Sequence, residues 1–81
     1  MYNSLLNVNI MQFDESVYKK ISDRELQAAC AAKDGLSIQE TADRMSISPS
    51  TVKSYRSRIM AKLGCKNITE SIVRLIKAGI L

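Results

Sequence analysis

The sequence predicts an all-α fold, a four-helix helix-turn-helix domain over residues 21–81 preceded by an N-terminal extension over residues 1–20. Three observations predict it. Gly and Pro are scarce, 3 and 1 in 81 residues, so the turn punctuation of a many-stranded β protein is missing. Four polar residues stand where helices begin, three of them with a glutamate three positions on. Behind each start, apolar residues recur at helical spacing. A chain this short buries only roughly 60% of its unfolded surface, so local helix signals count for much of its stability.

The helices follow in order. Ser22 and Glu25 form a capping-box spacing that opens a helix over about residues 22–33, carrying Leu26, Ala28, Ala29 and Cys30 and stopping before Gly35. Ser37 and Glu40 repeat the device for a short helix to about residue 45, in which Ile38, Ala42 and Met45 define the buried stripe. Ser48 caps the third helix with Pro49 in its first position, where a missing N–H costs nothing. That helix runs to about Leu63 and ends at Gly64. Asn67 and Glu70 open the fourth, which carries Ile72, Val73, Leu75 and Ile76 and ends at Gly79. Only Ser46 and Ile47 separate Met45 from the cap Ser48. So short a turn forces the second and third helices to cross steeply, with Ile47 plugging the corner and the small Ala42 allowing close approach. Tight helical corners also occur in proteins that touch no nucleic acid.

Composition narrows the function. The absence of His removes the usual general base, the commonest metal ligand and the neutral-pH switch. Cys30 and Cys65 lie far from metal-ligand spacing and make no disulfide framework. Neither a cofactor, a metal nor an enzymatic activity is expected, since no nucleophile–base pair is in evidence. No export signal or spanning segment is visible, so no membrane association and a cytoplasmic, nucleoid-associated location are expected. The formal charge of +4 is unevenly placed: residues 1–20 net zero, residues 21–47 net −2, and residues 48–81, with seven bases against one acid, net +6. Such polarity fits a polyanion partner, and equally a solvated basic face.

The third helix separates the two. Val52, Ile59 and Leu63 fall within about 40° of one another at 100° per residue and form its buried side. The opposite side, roughly 100° wide, carries Ser50, Lys53, Ser54, Ser57 and Ala61, and no acid occurs between Ser48 and Leu63. Small side chains let a helix sink into a groove, hydroxyls can donate to or accept from base edges, and Lys53 can reach guanine O6 and N7. Thr51, Arg58 and Lys62 on one flank and Arg56 on the other stand where groove walls present phosphates. Tyr55 lies between stripe and flank, its ring expected to pack and its hydroxyl to be free for a phosphate. The plain alternative is an amphipathic surface helix.

From Ile21 to Leu81 the chain resembles the LuxR/GerE family of bacterial transcriptional regulators. The resemblance rests on Ser22, Arg24 and Glu25, on Gly35-Leu36-Ser37 with Glu40 and Ala42, and on Ile47-Ser48-Pro49-Ser50-Thr51-Val52-Lys53. Ile59, Lys62-Leu63-Gly64 and Thr69-Glu70 continue it. Sigma-factor region four shares the Thr-Val-Lys part but not the continuation from Lys62 to Asn67 with a fourth amphipathic helix. The resemblance implies a DNA-binding domain whose third helix lies in the major groove and whose fourth often forms a two-fold dimer interface. By position it places Lys53, Ser54 and Ser57 at bases and Thr51 and Lys62 at phosphates. Departures are Ala28, Ala29 and Ala31 for bulkier aliphatics, Thr41 for an isoleucine, Tyr55 for a histidine and Ile68 for an arginine. The thin first helix implies looser packing there or another segment filling the space. No receiver or ligand-binding domain accompanies these 81 residues, so the signal is expected to come through another protein or through expression level.

Two regions stay open. Leu6, Ile10, Phe13 and Val17 recur as a helical stripe interrupted by the poor helix formers Asn7, Val8 and Asn9. The stripe reads as an extra helix over the alanine-rich first helix, a docking segment for a partner or dimer, or a frayed arm. The fourth helix is apolar beyond the 100° a core contact needs, which makes Val73, Ile76, Ile80 and Leu81 dimer candidates, although the N-terminal segment could absorb the same surface. Cys30 reads as a small buried hydrophobe, and Cys65 as a plug between the third and fourth helices. The leading expectation is a sequence-specific regulator of double-stranded DNA, a homodimer on an inverted repeat. The alternative is an interaction adaptor or antagonist that pairs with a larger regulator or with RNA polymerase.

Overall fold

The structure, a computed structural model, describes residues 15–81. Among the described residues are five helices and no strand: α1 Glu15–Lys19, α2 Asp23–Lys33, α3 Ile38–Met45, α4 Pro49–Leu63 and α5 Ile68–Lys77. Helices α2 to α5 are the four expected from the sequence, and each starts at its expected cap. Ser22 Oγ accepts from the Glu25 amide at 3.1 Å while Glu25 Oε1 accepts from the Ser22 amide at 2.9 Å. Ser37 and Glu40 repeat the reciprocal pair at 3.1 and 2.9 Å. Ser48 Oγ accepts from the Thr51 amide at 3.2 Å, and Asn67 Oδ1 from the Glu70 amide at 2.8 Å. Each cap satisfies a donor that would otherwise have no partner in the helix.

The four helices also end alike. Amides of Leu36, Ile47, Cys65 and Ile80 reach back five residues to the carbonyls of Ala31, Ala42, Met60 and Leu75, at 2.9–3.0 Å. This closure needs one left-handed residue before the donor. Gly64 supplies it after α4 with φ +67°. After α3 the residue is Ser46, at φ 57°, the one non-glycine with positive φ among the described residues. A serine pays a steric cost there of roughly 1–2 kcal/mol that glycine avoids. Nothing in the sequence marks Ser46 for this, because the residue type is ordinary and only the two-residue corner demands the conformation.

Packing centres on α4, which touches each of the other four helices. Ile21, Ala29, Ile59, Leu63 and Leu75 form the buried cluster, with Val17 and Tyr18 of α1, Leu26, Cys65, Ile80 and Leu81 packed against it. The thin α2 is accommodated by close packing. Ala28, Ala29 and Ala31 are buried, so α2 lies close on its neighbours, while α1 packs on α4 with Val17 and Tyr18 against the same core cluster. Val17 thus belongs to the core, whereas Leu6, Ile10 and Phe13 lie outside the described residues. Thr41 is fully buried yet satisfied, its hydroxyl donating to the Ser37 carbonyl at 2.8 Å. Cys65 packs against the cluster as expected, and Cys30 is half-buried.

One polar node ties three elements together. Lys62 Nζ on α4 lies 2.7 Å from Glu25 Oε1 on α2 and donates at 2.7 Å to the Lys20 carbonyl just after α1. The same Oε1 closes the Ser22 capping box. Burial alone would push the Glu25 carboxyl up, but the Lys62 ammonium and the Ser22 amide and hydroxyl outweigh it and hold the group below its ordinary value of 4.5. A carboxylate with only 3% exposure is costly without such partners.

Lys62→Met should therefore lower unfolding free energy by about 2 kcal/mol, less than a fully buried pair because the lysine is partly exposed. Urea unfolding checks the size. Because the folded carboxyl titrates below the unfolded one, its stabilisation is complete above the unfolded value near 4.5 and fades as pH falls through the lower folded value. In the variant, where burial of Glu25 acts without the lysine, this acid-side loss should shrink or reverse, so the stability gap to the parent should narrow as pH falls, read from melts across pH 3–6 (roughly the carboxylate range).

Candidate nucleic-acid interface

The outer side of α4 is bare. Ser50, Lys53, Ser54, Ser57 and Ala61 are all exposed, as is Arg58 on the flank, while Val52, Ile59 and Leu63 on the opposite side are buried. The geometry follows from the 3.6-residue repeat: the buried stripe is clamped by all four other helices, so the face about 180° away points to solvent. No acid lies in the first turn of α4, which leaves the partial positive charge of its N-terminus unopposed there.

The hydroxyls at that end form a small network. Ser48 Oγ lies 3.0 Å from Ser50 Oγ and 2.8 Å from Thr51 Oγ1, in addition to accepting the Thr51 amide. Ser50 and Thr51 thus share the capping hydroxyl, with Thr51 half-buried and Ser50 exposed. Ser54 and Ser57, further along, are exposed one turn apart. Lys53 is exposed and has no carboxylate within ion-pair distance among the described residues.

The flanking cations divide. Lys62 is held by Glu25 and the Lys20 carbonyl. Arg56 is half-buried and donates from Nη2 to the Leu36 carbonyl at 3.4 Å, with its Nε buried and without a partner. Arg24 donates to the Met45 carbonyl at 3.0 Å and Arg74 to the Leu63 carbonyl. Four basic side chains therefore rest on carbonyls at or just beyond helix C-termini, where the macrodipole favours positive charge. The helical wheel already contained this division for Arg56, only about 40° from the centre of the buried stripe. Arg58 is different: its guanidinium carbon lies 5.9 Å from the centroid of the Tyr55 ring. Lys66, in the turn after α4, is a further exposed cation, legible in the sequence because the acid-free run continues past it to Glu70.

On α5, Val73 and Ile76 are 45% and 48% exposed, the exposed large hydrophobics among the described residues. Ile80 and Leu81 are placed differently, folded back after Gly79 onto the chain's own core. No group of three or more His, Cys, Asp or Glu side chains suited to a metal occurs among the described residues, and none of their helices is long and apolar enough to cross a membrane.

Comparison with known proteins agrees with this geometry. Residues 19–75 match the family described as bacterial regulatory proteins, luxR family. The chain is 33% identical over 66 residues to the response regulator UvrY of Escherichia coli (strain K12), a match covering 82% of this chain and 30% of that protein. It is 30% identical over 70 residues to the response regulator GacA of Pseudomonas aeruginosa, covering 86% of this chain and 33% of that one. Over 53 residues it is 38% identical to the DNA-binding transcriptional activator DevR/DosR of Mycobacterium tuberculosis, covering 65% and 24%. The chain thus spans about a third or less of the length of each relative. With helices α2 to α5 carrying the matched residues, the chain belongs to the luxR family of bacterial regulatory proteins and holds its helix-turn-helix domain, a module of DNA-binding transcription regulation.

Proposed function

We propose that the chain is a sequence-specific regulator of transcription that lays α4 in the major groove of double-stranded DNA. The carrying observation is the exposed, acid-free outer face of α4, flanked by cations and built of side chains short enough to approach base edges. Ser50, Lys53, Ser54 and Ser57 face bases, Lys53 being the one long donor among them. Thr51 and Arg58 stand at the phosphates, with the Tyr55 ring beside the Arg58 guanidinium. Arg56 and Lys62, expected at phosphates from the sequence, act through the fold instead: each donates to a backbone carbonyl and helps seat α4 at its angle.

The regulator works as a homodimer on an inverted repeat, with Val73 and Ile76 of α5 as the apolar contact. A two-fold pair would set the α4 helices at half-sites about one helical turn apart. Ile80 and Leu81, engaged with the core, support α5 from within rather than meeting the partner. The relatives named as response regulators and as a DNA-binding transcriptional activator support the regulatory reading.

Binding-site selection from a randomised duplex library, followed by anisotropy titration at several salt concentrations, tests the proposal. Lys53→Ala should weaken the selected site by about 1–3 kcal/mol while hardly changing random duplex. Arg58→Ala should weaken both alike and lower the salt slope by about 1, whereas folded Lys62→Met should leave the slope unchanged. Selection of no sequence, with only weak salt-sensitive binding, would overturn the reading in favour of an adaptor that pairs with another regulator or with RNA polymerase. For the dimer, Ile76→Glu should shift sedimentation to the monomer mass and weaken the paired site at least about tenfold, because like charges meet across a two-fold axis. An unchanged mass would remove α5 from the interface.

A further inference from the structure

The Tyr55–Arg58 pair sets one cation of α4 apart from the rest. Among the described residues, Arg24, Arg56 and Arg74 donate to carbonyls, and Arg44 lies 3.8 Å from Asp34. Among the described residues the Arg58 guanidinium has neither kind of partner, and it stands over the Tyr55 ring at 5.9 Å, within the ~6 Å reach of a cation–π contact. The two residues are three apart on one helix, so the ring lies one turn before the guanidinium on the same side. Tyr55 is half-buried and Arg58 exposed. A ring partly anchored in the fold is a fixed platform, whereas an exposed arginine without a partner samples many rotamers that binding must freeze. A cation–π contact engages the charge of the guanidinium without using its N–H donors, which stay available to a phosphate.

We propose that Tyr55 is a positioning residue for DNA binding: its ring holds Arg58 in the orientation that meets the phosphate backbone, and its hydroxyl is dispensable. The proposal rests on α4 entering the groove and adds how one flank is preorganised. It also revises the sequence expectation for Tyr55, moving the role from the hydroxyl to the ring.

A double-mutant cycle on the full chain tests it, with affinity for the selected duplex and for random duplex measured by anisotropy. Tyr55→Leu, which keeps an apolar side chain of helical propensity, should weaken both duplexes about two- to fivefold in the Arg58 background. In an Arg58→Ala background the same change should have no further effect, and Tyr55→Phe should bind like the parent. Equal weakening by Tyr55→Leu in both backgrounds would overturn the coupling, and a loss in Tyr55→Phe would return the role to the hydroxyl. Thermal melting of each variant shows that it is folded. The parent gives an independent reading without any substitution: the Arg58 side-chain protons in free protein should be displaced upfield by the ring current. Arg58 protons at ordinary positions would overturn the platform. Binding to no duplex by the parent would overturn the DNA reading itself, and the positioning role with it, whereas loss of coupling alone leaves that reading standing.

Discussion

The contact on which the rest of the structure depends is the one between Lys62 and Glu25. Glu25 is nearly fully buried, and it stays ionised because Lys62 and the Ser22 amide share one of its oxygens. Its removal from water is compensated only while α2 and α4 hold their present rotation, since the ammonium must also reach the Lys20 carbonyl. A hydrophobic stripe is tolerant of small rotations and slides; a buried charge pair with bonds of 2.7 Å is not. The node therefore helps fix which side of α4 is inside and which side faces solvent.

Seen this way, the basic side chains of the domain have two uses. Arg24, Arg56, Arg74 and Lys62 meet carbonyls at or just past the ends of α3, α2, α4 and α1, where partial negative charge collects. Lys53, Arg58, Lys66 and Lys77 remain exposed. A net charge of +6 over residues 48–81 overstates the number of cations free for a polyanion, because charge counts do not record hydrogen-bond partners. Within this smaller set Lys53 and Arg58 lie on α4 and Lys66 in the turn after it, while Lys77 ends α5.

Much of this was legible in the residues. All four principal helices start at the expected caps, because capping is a contact between positions three apart and needs no tertiary information. The buried stripe Val52, Ile59, Leu63 and the exposed face opposite it were equally readable, since helical period alone separates them. Three matters were not. Ser46 takes a glycine-like conformation because the corner demands it. Ile80 and Leu81 turn inward because the chain folds back after Gly79, a reversal that places apolar side chains on the core regardless of the helical wheel. The fate of Lys62 and Arg56 depended on which carbonyls other helices brought near them.

By itself the amino-acid order determined where each helix begins and ends, which residues share a face, and that one face combines small side chains with positive charge. Those properties arise from contacts within a few residues, whose geometry the backbone sets locally. The tertiary structure alone decided which cations are committed to the fold, which apolar side chains of α5 stay outside, and that Arg58 rests on Tyr55 while Lys62 rests on Glu25. A long flexible side chain commits to one partner only when burial removes water as the competitor, and what is buried beside it is decided by residues 37 positions away, as Glu25 is from Lys62.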